Sequence, residues 1–398
     1  MAVPARVFKE TGMVRPNKLF LKGVLGAMKF KKMGSFILLF VFLSVFVVGC
    51  GGSTKDKGKD SGDTQKEKFK VGFVYIGTPG DAGWTYTHDQ GRKYLAKELP
   101  EVETIFLENV TEGADAERSI DQLAQQGCKV IFTTSFGFGD ATIEVAKKYP
   151  DVVFMHASGI ETADNVGTYF GKIEQMRYLT GIVAGKMTKT NTLGYVAAYD
   201  IPEVVRGINA YTLGAQSVNP NVKVKVVWTH NWIDANLAKQ AADSLIEDGA
   251  DVITQHVDAT SPQIAAEEAK VWAIGYHSDM KTYAPNYSLT ASVWSWGPYY
   301  VDVVKSVMNK TWKTGAYWGG AETGIIDLAP ISDKVPADVK ELAVAKQADI
   351  KSGKLDIFAG PLKAQDGTVK VKEGQKMTDE EILSFNWFVA GVDGKIGQ

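Results

Sequence analysis

The sequence predicts an α/β protein built from two doubly wound lobes, each a parallel sheet covered by helices on both faces. Three observations indicate this fold class. From residue 70 onward, short apolar segments alternate with longer helical segments, as buried parallel strands and their connecting helices do. The alternation restarts near residue 193, so a second lobe is expected. A length of 398 residues favours two domains, and 45% hydrophobic with 23% charged residues excludes a collagen-like, wholly disordered or coiled-coil chain.

The first series begins with the apolar run VGFVYI at 71–76, which is followed by a predicted helix at 84–99. The other strands of this series are predicted at 104–107, 130–133, 152–155 and 166–170, and the other helices at 115–126, 141–149 and 173–187. Gly181 and Gly185 lie within the last of these helices and predict close packing against a neighbouring element.

The second series repeats this rhythm without repeating the sequence. Its strands are predicted at 193–197, 222–228, 251–254, 271–274 and 289–293, and its helices at 203–218, 236–247 and 262–270. Towards the C-terminus we predict a strand that ends in a turn at 355–361, an N-capped helix that starts at Thr378, and a packing role for Trp387.

The first 49 residues are predicted to be a signal peptide. Three lysines at positions 29–32 precede an uncharged apolar run at 36–48. Thirteen helical residues span roughly 20 Å, which is short of the ~30 Å core of a bilayer and fits a signal sequence better than a stable span. The run ends in VVGC, which resembles a bacterial lipobox and implies that Cys50 is lipidated. The alternative is a buried thiol at the end of a hydrophobic helix.

Two further features frame this N-terminal region. Residue 28 is a more natural start, so residues 1–27 are interpreted as an over-extended start. Residues 51–68 carry no apolar side chain to bury, so residues 50–68 are predicted to form a lipidated cysteine and a flexible tether. Removing residues 1–49 takes away eight basic residues and one acidic residue, which changes the formal charge from −2 to −9. This acidic body excludes an electrostatic nucleic-acid footprint.

Aromatic residues recur just after the predicted strands. Ligands of doubly wound sheets bind beyond the carboxyl ends of the strands, so these positions are the informative ones. Large flat side chains in glycine-rich loops favour a pocket for a flat small molecule, although packing remains the alternative for each one. The aromatic candidates are Trp84, Phe136, Phe138, Trp232 and Trp294.

The sequence carries little that indicates catalysis. Glycines at 77–83 follow a strand but have the spacing G-x-x-G-x-x-G, which is not the dinucleotide fingerprint, and no P-loop, G-x-S-x-G or H-E-x-x-H motif occurs. His256 with Asp258, and His277 with Asp279, could hold a metal or move protons. A binding protein would use the same groups as hydrogen-bond partners for a heterocycle. We favour binding, and expect no catalytic residue, metal or cofactor.

Four segments resemble the basic membrane protein family of bacterial lipoproteins, the purine-nucleoside-receptor-like substrate-binding proteins of ABC importers. They are VGFVY at 71–75 with Gly83-Trp84, IFTTSFGF at 131–138, GKIEQMRYLTGIVAG at 171–185 and AIGYHSD at 273–279. The resemblance covers residues 69–398 and implies a type I periplasmic-binding-protein fold, whose two lobes close on a ligand. It implies an N-terminal lobe of residues 69–190 plus about 294–322, and a C-terminal lobe of residues 191–293 plus about 323–398.

The resemblance also implies roles for individual residues. Trp84 and Trp232 match the aromatic positions that sandwich the purine in the family's nucleoside binders, and Asp140 is the nearest match to an acid that binds the base edge. Two positions depart from the family pattern. His277 stands at the first acid of the segment G-V-D-x-D, and Trp294 stands about where a lysine grips the ribose.

These departures predict a flatter, less hydroxylated ligand than a nucleoside. A site built for a sugar would otherwise leave buried polar partners unpaired. We therefore expect a free purine base such as adenine, with a nucleoside second, and expect His256, Asp258 and His277 to engage its polar edge. The resemblance further implies a monomeric, extracytoplasmic, lipid-anchored protein whose partner is an ABC permease. The alternatives are an enzyme of purine or nucleoside metabolism and a ligand sensor. A DNA-binding regulator is set aside, because the residues before Phe69 are predicted to be signal and tether.

Overall fold

A computed structural model describes residues 68–80 and 82–397 of the protein. The predicted signal peptide, the proposed lipidation site Cys50 and the tether up to residue 67 lie outside the described residues. Within the described ranges, no helix is both long enough and apolar enough to span a bilayer.

Strands and helices alternate along the chain. The strands are β1 (Phe69–Tyr75), β2 (Val102–Leu107), β3 (Val130–Thr134), β4 (Val153–Ala157), β5 (Val166–Gly171), β6 (Thr192–Ala197), β7 (Lys223–Trp228), β8 (Val252–His256), β9 (Trp272–His277), β10 (Ser288–Trp294), β11 (Ala316–Gly319), β12 (Ile326–Leu328), β13 (Leu362–Lys363), β14 (Val369–Val371) and β15 (Val392–Asp393). The helices are α1 (Trp84–Glu98), α2 (Ala114–Gln125), α3 (Gly139–Ala146), α4 (Glu174–Met187), α5 (Pro202–Gln216), α6 (Ala235–Glu247), α7 (Ser261–Ala269), α8 (Trp296–Met308), α9 (Ala337–Lys351) and α10 (Asp379–Leu383).

Two large sheets form the lobes, and the prediction of two doubly wound parallel sheets is confirmed. The first has the strand order β11-β5-β4-β3-β1-β2, with every neighbouring pair parallel. The second has the order β12-β10-β9-β8-β6-β7-β15, and only β12 runs antiparallel to its neighbour. Both sheets reverse their order next to the first strand of their series, which is where such folds bind ligands.

Helix α4 connects the two sheets and packs mainly along α5 and against α9. Its glycines make this close packing possible, as predicted from the sequence. A Cβ atom on Gly181 would lie 2.1 Å from the backbone oxygen of Tyr211, and one on Gly185 would lie 2.6 Å from that of Ala215. The chain crosses between the sheets again after β10 and after β11. The lobe boundaries drawn from the resemblance stay a prediction.

The C-terminal region departs in part from the sequence prediction. The strand predicted at 355–361 is wrong, because this stretch forms turns with a single bridge between Ala359 and Lys376. It ends in Gly360-Pro361, and proline lacks the N–H that a strand ladder needs. The capped helix start is confirmed, since Thr378 Oγ1 accepts a hydrogen bond from the Glu381 backbone and Glu381 accepts one in return. The sequence analysis did not predict α8 or α9.

Candidate functional site

Residues at or beyond the carboxyl ends of strands in both sheets line one cavity. The first lobe contributes Ile76, Trp84, Ser135, Phe136 and Ser158. The second lobe contributes Ile201, Glu203, Trp232, His256, Asp258 and His277. The arrangement follows from the topology, because parallel strands end at the same edge of each sheet.

Trp84 is the first residue of α1, and its side chain is held in one orientation. Its indole Nε1 donates a hydrogen bond of 2.6 Å to the backbone oxygen of Thr134, at the end of β3. The imidazole ring of His88 packs nearly perpendicular to the indole of Trp84, with the two ring centroids 4.2 Å apart. The side chain is 8% exposed. An aromatic wall of the cavity is therefore preorganised in the first lobe.

Trp232 belongs to the loop after β7 and forms part of the opposite wall. Its ring packs against Tyr199 at 5.2 Å and lies 6.2 Å from the ring of His256. Its backbone oxygen accepts a hydrogen bond of 2.7 Å from the backbone N–H of Asp258. The loops after β7 and β8 are thereby connected, which positions an indole and a carboxyl group beside each other.

Two carboxyl groups lie among the imidazoles of the second lobe. Glu203, in the first turn of α5, lies 3.2 Å from Nε2 of His256. Burial, with a smaller contribution from the negative charge of Glu203, raises the pKa of Asp258 to about 8. Burial also raises the pKa of Glu203, and it lowers that of His256 well below its ordinary range. The cavity at neutral pH therefore carries less charge than its titratable groups would carry in water.

His277 lies at the end of β9 between two partners. Its Nε2 is 3.0 Å from Oδ1 of Asp258, and its Nδ1 accepts a hydrogen bond of 3.1 Å from the indole Nε1 of Trp294. The pairs seen in the sequence, His256 with Asp258 and His277 with Asp279, are not the pairs seen in the structure. Neighbouring strands bring their ends together, so each histidine meets a carboxyl group from the adjacent strand's loop.

Six of the nine predicted site residues line the cavity: Trp84, Phe136, Trp232, His256, Asp258 and His277. Phe138 does not, because it is fully buried in the core beneath α2 and α3. Asp140 is exposed in the first turn of α3 and lines a separate depression of the first lobe. Trp294 does not line the cavity and lies behind His277 and Trp84.

Five lining residues were not among the predicted site residues: Ile76, Ser135, Ser158, Ile201 and Glu203. Ile76, Ser135 and Ser158 directly follow a strand, so the strand-end rule was a sufficient signal for them, whereas Ile201 precedes α5 and Glu203 lies in its first turn. The sequence analysis applied that rule to aromatic and histidine residues and passed over small, aliphatic and acidic ones. Across residues 68–80 and 82–397, no three His, Cys, Asp or Glu side chains converge as a metal site would require.

A comparison with models of protein families shows the family of this two-lobed protein. The model for ABC transporter substrate-binding proteins of the PnrA-like type matches residues 68–366. The chain belongs to this family. The resemblance seen in the sequence is thereby confirmed.

Two relatives and a solved structure are similar to this chain over most of its length. A purine-binding protein of Brucella abortus (strain 2308) is 51% identical over 334 residues, which cover 84% of this chain and 95% of the relative. A putative ABC transporter glucose-binding protein of Haloferax volcanii is 39% identical over 335 residues, covering 84% and 83%. The solved structure of an ABC transporter solute-binding protein from Conexibacter woesei has a TM-score of 0.62 at 22% identity, covering 72% of this chain and 98% of that one. The predicted type I periplasmic-binding-protein fold is confirmed.

Proposed function

We propose that this ABC transporter substrate-binding protein captures a purine outside the cytoplasmic membrane and delivers it to a permease. A free base such as adenine is the preferred ligand and a purine nucleoside is the second. The observation that carries the proposal is that Trp84 from one lobe and Trp232 from the other line the same cavity. A planar heterocycle between two indoles gains stacking on both faces. The purine-binding relative in Brucella abortus supports the same ligand class.

The polar groups of the cavity suit the edge of a purine. Glu203, Asp258 and His256 lie on the second-lobe side and offer oxygen and nitrogen atoms to ring nitrogens and amino groups. Their low charge at neutral pH suits a neutral ligand. The positions where the family's nucleoside binders grip ribose carry His277 and Trp294, which bond to each other at 3.1 Å. This pairing supports a ligand that lacks the sugar.

Capture works by closure of the two lobes. A purine that contacts both walls binds the closed form better than the open form, and the difference in affinity drives closure. The closed form then presents surfaces of both lobes to the permease. No bond of the ligand is broken, so no catalytic residue is needed. Lipidation at Cys50 would keep the protein beside its permease and raise the effective concentration there.

Calorimetric titration tests the ligand. Protein stripped of carried-over ligand by unfolding and refolding is titrated with adenine, adenosine, guanosine and glucose. We expect adenine to bind most tightly and Trp232→Ala to weaken binding by about 1–3 kcal/mol, the worth of one base stack. Trp228→Ala is the matched control. Trp228 is the last residue of β7, four positions before Trp232, but its indole donates a hydrogen bond to the Lys395 backbone and does not line the cavity. If glucose were the one compound of the four that bound, the proposal of a purine ligand would be rejected.

Three further experiments address the alternatives and the anchor. Recovery of unchanged adenine from the complex opposes an enzyme, whereas a converted product supports one. Loss of adenine uptake in cells that lack the protein supports import over sensing. Mass spectrometry of the mature N-terminus, with Cys50→Ala as control, tests lipidation. An unmodified wild-type N-terminus would reject the anchor.

A further inference from the structure

A second layer of side chains stands behind the cavity wall formed by His277. Trp294 ends β10, the strand beside β9, and its side chain is 7% exposed. Its indole Nε1 lies 3.1 Å from Nδ1 of His277. An indole N–H can only donate a hydrogen bond, so Nδ1 of His277 must be the acceptor and carries no proton.

The bond determines which form of the imidazole is present. A neutral ring whose Nδ1 accepts holds its proton on Nε2, and this atom lies 3.0 Å from Oδ1 of Asp258. A doubly protonated ring would bring a second N–H against the indole N–H and lose the bond. Trp294 therefore favours one neutral tautomer of His277 over both other forms.

Neighbouring rings hold the indole in this position. It stacks on Trp296 with ring centroids 4.5 Å apart and 15° between the planes, and the ring of Phe170 lies 5.0 Å away. On another side it meets Gly171, where a Cβ atom would come within 2.7 Å of the Trp294 ring. Only a glycine at that position leaves room for the indole.

We infer that Trp294 is a positioning residue that sets the specificity of the site: it holds His277 in the neutral tautomer with the proton on Nε2, beside Asp258. This inference rests on the proposed function, because it explains why the site prefers a free purine base to a purine nucleoside. With Oδ1 beside that proton, Oδ2 is the Asp258 oxygen that remains for the edge of the base. His277 then has no acceptor to offer a ribose hydroxyl.

Other charged or titratable groups also act on His277. They are His88 from α1, Glu203 from α5, and His256 and Asp258 from the end of β8 and its loop. Glu203 and Asp258 favour a protonated imidazole when they are ionised, and burial opposes it. Without the indole N–H, the hydrogen bond that keeps Nδ1 unprotonated is lost, so protonation beside these carboxyl groups becomes easier. Trp294→Phe should therefore make purine binding depend on pH between 5 and 7, below the range in which Asp258 titrates.

The test uses ¹⁵N spectra of the histidine side chains in the whole protein, with His277→Gln to assign the signal. From pH 5 to pH 8 we expect wild-type His277 to keep an unprotonated Nδ1 and a protonated Nε2. In Trp294→Phe we expect the ring to protonate within this range and adenine to bind about ten- to a hundredfold more weakly, the loss of one buried hydrogen bond to the base when the imidazole no longer holds Asp258 in place. Trp296→Phe is the control: it removes the stacked indole, whose Nε1 bonds to no described residue.

Each outcome separates the two proposals. A proton on Nδ1 of wild-type His277, or its titration between pH 5 and pH 8, overturns the positioning role, even if Trp294→Phe does not fold. Equal effects of the Trp294 and Trp296 variants on adenine affinity also overturn it, because packing alone would explain them. If the nitrogen signals are as expected but no purine binds, the proposed ligand fails while the arrangement of Trp294 and His277 is supported.

Discussion

At Gly83 the two lobes approach each other closely beside the cavity. A Cβ atom added there would lie 2.9, 3.0 and 3.1 Å from the O, Cα and C atoms of the Asp258 backbone in the opposite lobe. Carbon atoms in contact normally lie about 3.5–4.0 Å apart, so the lobes would have to separate by several tenths of an ångström. Overpacking of this kind costs about 1–3 kcal/mol.

That cost falls on the closed form, because separated lobes have no contact at Gly83. We therefore expect Gly83→Ala to weaken adenine binding roughly 5- to 150-fold, while the melting temperature of the ligand-free protein stays near the wild-type value. Titration calorimetry measures the first and thermal unfolding the second. Gly80→Ala is a matched control in the same loop, since its Cβ would meet only Thr78 Oγ1 at 4.0 Å.

Two results would refute this reasoning. Wild-type affinity in Gly83→Ala would mean that ligand binding does not require the approach of Gly83 to Asp258. An equal loss of stability with and without ligand would mean that the two residues already meet in the ligand-free protein, so closure is not what the substitution opposes.

Three more predictions concern the body of the protein. Gly181→Ala should lower the free energy of unfolding by about 1–3 kcal/mol, because its Cβ would lie 2.1 Å from the Tyr211 backbone oxygen. Gly315→Ala is the control and should leave this free energy unchanged, because its Cβ would have nothing within 4 Å. Urea unfolding measures both variants. Phe138→Ala should cost about 3–5 kcal/mol of stability and leave adenine affinity unchanged, and a change of affinity at wild-type stability would contradict its position in the core. The pKa of Asp258 is raised from 3.8 to about 8, so the folded protein keeps a proton that the unfolded chain releases. The contribution of Asp258 to stability should therefore fall as the pH rises from about 4 to about 8, by up to about 1.4 kcal/mol per pH unit, and urea titrations at a series of pH values should show that Asp258→Asn removes this contribution.

Much of the site was within reach of the sequence because its position follows from local patterns. Short apolar runs identify buried strands, and parallel topology makes the residues after those runs the candidates for binding. Trp84, Trp232 and His277 were found in this way. The same rule covered Ser135, which was overlooked because the rule was applied to aromatic and imidazole side chains. Glu203 lies in the first turn of α5, beyond the loop that follows β6.

The direction of a side chain after a strand was not within reach. Phe136 and Phe138 are the same type of residue and lie two positions apart in one tight turn, on either side of Gly137. The turn directs one towards the cavity, where it is 47% exposed, and the other into the core, where it is 0% exposed. No periodicity of strand or helix applies across such a turn, so the sequence could not separate them.

The sequence by itself determined the two-lobed α/β architecture and the edge of each sheet at which a ligand binds, because both follow from the spacing of apolar residues along the chain. Only the tertiary structure decided which polar groups act together. His277 pairs with Asp258 and Trp294, and His256 with Glu203, because the sheet order sets β9 beside β8 and β10, and β8 beside β6. Hydrogen bonds form between atoms that are close in space, and the lateral order of strands brings together residues that are far apart in sequence.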